Sequence, residues 1–114
     1  MTDLLEATCE ACTPDSKPVS AVDRRDFHAQ VPDWEIIERD GKPQLQRAFT
    51  FPDFEEALTF TDEVGALAED EGHHPAILTE YGKVTIRWWT HAIEGLHKND
   101  FVMAAKTDEL FEEL

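Results

Sequence analysis

Alternation and helical spacing along this chain predict an α+β domain. The expected order is α-β-β-α-β-β-α, with a four-stranded antiparallel sheet and its helices packed on one face. Two segments, one around Asp40-Gly41 and one around Gly82, alternate apolar and polar residues on both sides of a turn. Between them lies a stretch with apolar residues at three- and four-residue spacing. A length of 114 residues suits one domain and leaves little room for a second.

Residues 1–19 mix acids, Thr, Ser and prolines without sustained periodicity, and read as a loosely ordered N-terminal lead-in to a single domain over 20–114. Ser20 with Asp23 has the pattern of a helix start, and Val22, Phe27 and Val31 form a weak apolar stripe. A first helix is therefore expected over 20–30, ended by Pro32. From Trp34 the period becomes two. Trp34, Ile36 and Glu38 lead to a turn at Asp40-Gly41-Lys42-Pro43, and Leu45, Arg47, Phe49 and Phe51 follow on one side of the return strand. Arg47 on that aromatic side requires a carboxylate partner or an open edge, because an unpaired buried charge is costly.

Asp53 caps the second helix, with Glu56 placed for a capping box. Phe54, Ala57, Leu58, Thr61, Val64, Leu67 and Ala68 mark its expected buried face. Ala76–Tyr81, a Gly82-Lys83 turn and Val84–Thr90 form the second hairpin. Gly95 breaks the chain before a last helix from Lys98 to Glu113, whose apolar side is Phe101, Ala104, Ala105 and Phe111.

Composition narrows the function classes. Ten Lys+Arg against 25 Asp+Glu leave a formal charge of −15, which repels phosphate backbones and anionic lipid and argues against nucleic-acid or membrane binding. No apolar run approaches the ~20 residues that span a bilayer. The stretch Met1–Glu6 lacks the regions of a secretion signal, so a cytoplasmic location is expected. Nine acids and no Lys or Arg lie between Asp53 and Glu80, a pattern better matched to a solvated face than to a docking patch. The Cys9-x-x-Cys12 pair has no second Cys pair to complete a zinc site and no preceding strand for a thioredoxin-like role. Two reduced, incidental thiols are expected there, with a metal or redox role as the competing reading.

The chemistry concentrates around His73-His74-Pro75. These residues fall between a helix and a strand, where Pro75 pushes His74 toward an extended backbone. His91 follows the fourth strand, and in an antiparallel hairpin the start of one strand neighbours the end of the other. Glu69 and Asp100 fall within reach of the same rim. Imidazoles titrating near pH 6.5 suit removal of a hydroxyl as water: one protonates the leaving oxygen and another takes a proton from the adjacent atom. Such residues also suit Zn²⁺ or Fe²⁺, although adjacent histidines diverge on an extended backbone and poorly share one ion. Ordinary surface histidines are the third reading. No nucleophile stands out, since Ser16 and Ser20 are remote in sequence.

The pattern Glu69-x-x-x-His73-His74-Pro75, then Tyr81, His91 and Asp100, resembles that of the pterin-4a-carbinolamine dehydratase family. Arg47-Ala48-Phe49-Thr50-Phe51 followed by Phe54, Ala57 and Phe60 resembles the family's second strand and long helix. Cys9-Glu10-Ala11-Cys12 and Trp88-Trp89-Thr90-His91 resemble its bacterial branch that accompanies phenylalanine hydroxylase. The resemblance spans about residues 20–112. It implies conversion of 4a-hydroxytetrahydropterin to quinonoid dihydropterin and water, in support of tetrahydrobiopterin recycling, without a cofactor or metal. It implies catalytic roles for His73, His74 and His91. It also implies a pterin site formed by Glu69, Gly72, His73, His74, Pro75, Trp89, Thr90, His91, Ala92 and Asp100. Ile77 departs from the aromatic often found at its position, and His97 stands where Ser or Thr often starts the last helix. A homodimer or homotetramer is implied, and the acidity of the second helix favours the dimer. The alternative is a non-catalytic binding or assembly module on the same fold.

Overall fold

The computed structural model of the chain describes residues 4–7, 9 and 15–114. Its elements run α1 (Ala21–Gln30), β1 (Glu35–Arg39), β2 (Lys42–Thr50), α2 (Phe54–Glu71), β3 (Ala76–Glu80), β4 (Lys83–Trp88) and α3 (Lys98–Glu112). All strand pairs are antiparallel and the sheet order is β1-β2-β4-β3. The two hairpins thus join through their second strands, with Leu45 opposite Trp88 and Phe49 opposite Val84.

The first hairpin turn is tighter than the sequence suggests, and the second falls one residue earlier, at Tyr81-Gly82. Asp40 and Gly41 turn the first with φ of 55° and 77°, and Lys42 and Pro43 already belong to β2. Two consecutive positive φ values match the twist of the strands, and glycine supplies the second without a Cβ penalty. In the second hairpin Gly82 takes φ 73° and Lys83 opens β4.

The helices cover one sheet face, where Leu45, Phe49, Val84, Ile86 and Trp88 are fully buried. Asp53 caps α2 by accepting the Glu56 N–H at 2.8 Å. The buried face of α2 is Ala57, Phe60, Val64 and Ala68. Phe54 and Leu58, expected on that face, are 42% and 43% exposed, and Phe60 fills the core instead. It meets Phe49 at 4.8 Å and Phe51 at 5.3 Å between ring centroids. In α1 the expected stripe fails at Val22, which is 57% exposed, and no residue of the helix is buried. Ser20 caps it as expected, accepting from Asp23 N at 3.1 Å.

Some described residues of the lead-in contact the domain. Leu4 is fully buried and its N–H donates to Gln30 Oε1. The Cys9 N–H donates to Glu71 Oε1 at 3.1 Å. Cys12 lies outside the described residues.

Arg47 meets the requirement its position imposes. Its guanidinium donates to Asp108 Oδ1 at 2.7 Å, lies 3.7 Å from Asp33, and rests 4.4 Å from the centroid of the Phe49 ring. Trp34 Nε1 donates to the same Asp108 oxygen at 2.8 Å. Burial raises the Asp108 carboxyl above its ordinary value, outweighing the lowering pull of Trp34 and Arg47.

Candidate active site

The site assembles where three chain segments meet at one end of the sheet. α2 must stop for the first to form, and Gly72 stops it with φ 65° and ψ 30°, a left-handed cap natural to glycine. The His73 N–H returns to the Ala68 carbonyl at 3.2 Å, and Pro75 then leads the chain into β3. The second segment leaves β4 at Trp88, earlier than the alternation suggests. Thr90 pairs with Gly95 as an isolated bridge, so His91 opens a tight turn rather than ending a strand. The third is the start of α3, where His97 Nδ1 accepts the Asn99 N–H and the Asp100 carboxylate accepts the His97 N–H.

Asp100 links these segments. Its carboxylate is fully buried; Oδ1 lies 2.7 Å from His73 Nε2, while Oδ2 accepts from Thr90 Oγ1 at 2.8 Å and from His97 N at 2.9 Å. Each donor offsets part of the cost of burying the charge. His73 is itself 7% exposed, and its ring stacks on Trp88 at 5.8 Å with a 14° interplanar angle. His74 is exposed, and its Nε2 lies 2.8 Å from Glu69 Oε1. His91 Nε2 lies 3.3 Å from the His74 carbonyl, and its ring sits 4.4 Å from that of Trp89.

The three imidazoles share one feature. In each, Nε2 faces an oxygen that accepts, so Nε2 carries the proton of the neutral ring and Nδ1 is the nitrogen left to take one. Two of the three are held by carboxylates, the third by a carbonyl. The set spans a range of exposure, with His73 buried and His74 and His91 at the surface. Such an array can donate and accept protons at adjoining points.

The remaining residues named from the sequence fall around this edge with different exposures. Trp89 and Pro75 are half-buried, and Gly72 and Ala92 are exposed. Thr90 is 1% exposed and its hydroxyl is committed to Asp100, so its side chain supports the site from beneath. The part played by Trp88, the face on which His73 rests, was not legible because its alternation marks it simply as core. Among the described residues no group of three or more His, Cys, Asp or Glu is arranged to hold a metal ion. No helix among them is long and apolar enough to cross a membrane.

The family model for pterin 4 alpha carbinolamine dehydratase matches residues 17–110. A Nitrosococcus oceani protein named "putative pterin-4-alpha-carbinolamine dehydratase" is 63% identical over 110 residues, covering 96% of this chain and 97% of that one. Among solved structures, a transcriptional coactivator/pterin dehydratase from Brucella melitensis superposes with a TM-score of 0.75 at 26% identity, over 82% of this chain and 98% of its own. A pterin dehydratase-like protein described as a RuBisCO assembly factor of the alpha-carboxysome superposes with a TM-score of 0.59 at 25% identity, over 69% and 89%.

Proposed function

Since the chain belongs to the pterin-4a-carbinolamine dehydratase family, we propose that it dehydrates 4a-hydroxytetrahydropterin by histidine acid–base catalysis. The C4a–O bond breaks as the hydroxyl takes a proton and leaves as water. The N5 proton goes to a base and the N5=C4a bond of the quinonoid dihydropterin forms. One imidazolium and one neutral imidazole suffice, and each returns to its starting state when the proton passes back through water or its neighbour. His73, His74 and His91 carry this traffic at Nδ1. Asp100 and Glu69 hold two of the rings, and Trp89, Thr90, Ala92, Gly72 and Pro75 shape the pterin site. The observation that supports the reading is that His91 Nε2 lies 3.3 Å from the backbone carbonyl of His74, next to His73, with two of the three rings on carboxylates at 2.7 and 2.8 Å.

The reading includes a role in recycling tetrahydrobiopterin for an aromatic amino-acid hydroxylase, in the cytoplasm, as a homodimer or homotetramer without nucleic acid, membrane or metal cofactor. A spectrophotometric assay of 4a-hydroxypterin breakdown tests the chemistry: the protein is expected to accelerate water loss, and equal rates with and without it overturn the proposal. A second reading, an assembly module that does no chemistry, draws support from the carboxysomal relative. An active wild type inactivated by His73→Ala/His91→Ala at unchanged thermal stability rules that reading out.

A further inference from the structure

The sheet face turned away from the helices gathers positive charge in an otherwise acidic molecule. Strand register puts Arg39, Lys42, Gln44, Gln46, Lys83, Thr85 and Arg87 on it, four cations against the two acids Glu35 and Glu80, because directly paired residues share a face. A cleft of about 360 Å³ opens there, with Arg39, Gln46, Thr85, Arg87 and the short Ala76 among its lining. No acidic residue lines it.

We infer that this cleft is a binding site for a phosphoryl group on a small molecule, gripped by the guanidinium groups of Arg39 and Arg87. The other two cations of this face are paired, Lys42 with Glu94 at 3.2 Å and Lys83 with Glu80 at 3.7 Å. Among the described residues, Arg39 and Arg87 form no ion pair, although the chain carries 25 acids. The two repel each other, and Arg87, partly desolvated by burial, has its pKa lowered further by the Arg39 charge. An anion between them removes that repulsion. Arg87 spends one donor on Gln44 Oε1 at 2.8 Å, which fixes its fork and leaves other N–H groups for a ligand. Gln46 and Thr85 add neutral donors. The volume fits a small molecule, while the charge of −15 disfavours a nucleic-acid strand as the source of the phosphate.

The cleft also adjoins the candidate active site. Arg87 Cζ lies 5.5 Å from the centroid of the Trp89 ring, and that ring lies 4.4 Å from His91. The phosphoryl group can therefore arrive on a free metabolite or on the side chain of the pterin itself. Binding at Arg39 and Arg87 does not depend on the dehydratase reading, so the two can fail separately.

The probe is inorganic pyrophosphate, titrated calorimetrically into the full chain at low salt. Wild type is expected to show saturable binding that weakens as salt rises, and Arg39→Gln/Arg87→Gln to bind at least about 10-fold more weakly at unchanged thermal stability. No saturable binding, or equal binding by the double variant, overturns the inference. Steady-state assays with a phosphorylated and an unphosphorylated pterin then identify the source. A lower KM for the phosphorylated form that disappears in the double variant assigns the group to the substrate. Equal KM values with pyrophosphate binding retained assign it to a separate ligand.

Discussion

At the scale of single residues, proton location is what the geometry specifies best. His73 Nε2 faces a buried carboxylate that already accepts two other hydrogen bonds. ¹⁵N NMR of the neutral imidazole is expected to show the Nε2–H tautomer at His73, and an Nδ1–H signal there would contradict the arrangement. His73→Ala and His91→Ala are each expected to slow pterin dehydration by ~10²–10⁴-fold, read from kcat/KM with stability checked in parallel. Asp108 gives a pH test away from the site. Its folded pKa is raised, mainly by burial, so the folded state holds that proton to higher pH than the unfolded chain does. Stability from this group is complete below the ordinary carboxylate range and is lost as pH rises through the raised value. Thermal unfolding of wild type against Asp108→Asn over acidic pH should shift in favour of wild type as pH falls; the opposite slope rejects the assignment. Arg47 announced itself as needing a carboxylate, yet Asp108 is 61 residues away and only the folded chain identifies it.

Elements show where pattern reading succeeds and where packing intervenes. The caps at Ser20 and Asp53 and the turns at Gly41 and Gly82 were legible because each is a local hydrogen bond or a local dihedral requirement. Which apolar residues of α2 are buried was less legible. Period alone admits Phe54 and Leu58, whereas the β2 aromatics accept Phe60. The order β1-β2-β4-β3 has no local signal, since it depends on which hairpin edges meet. The histidine edge was legible for a related reason to the caps: Pro75 and the ends of β3 and β4 are local features, and antiparallel pairing converts them into proximity. Thr90's commitment to Asp100 and the stacking of Trp88 were not, because both need α3 in place. Two glycine substitutions separate the effects. Gly82→Ala, with φ 73° and a Cβ 3.1 Å from the Phe51 carbonyl oxygen, is expected to cost about 1–2 kcal/mol in denaturant unfolding. Gly65→Ala, helical and facing open space, is expected to stabilise by about 0.5–1 kcal/mol.

For the whole molecule, the excess of 15 negative charges sets the response to ionic strength. Added salt screens self-repulsion and is expected to raise Tm; a Tm that falls steadily with sodium chloride would contradict this account. Light scattering at low and high salt tests the proposed oligomer, with the acidic α2 faces expected to associate less at low salt. The carboxylate of Asp100 connects this scale to the smallest. One buried group begins a helix, anchors a loop threonine and holds a ring at the edge of the sheet. Any fluctuation that frays the first turn of α3 therefore releases that ring as well, so the proposed chemistry and the seating of the C-terminal helix are expected to stand or fall as a single cooperative event.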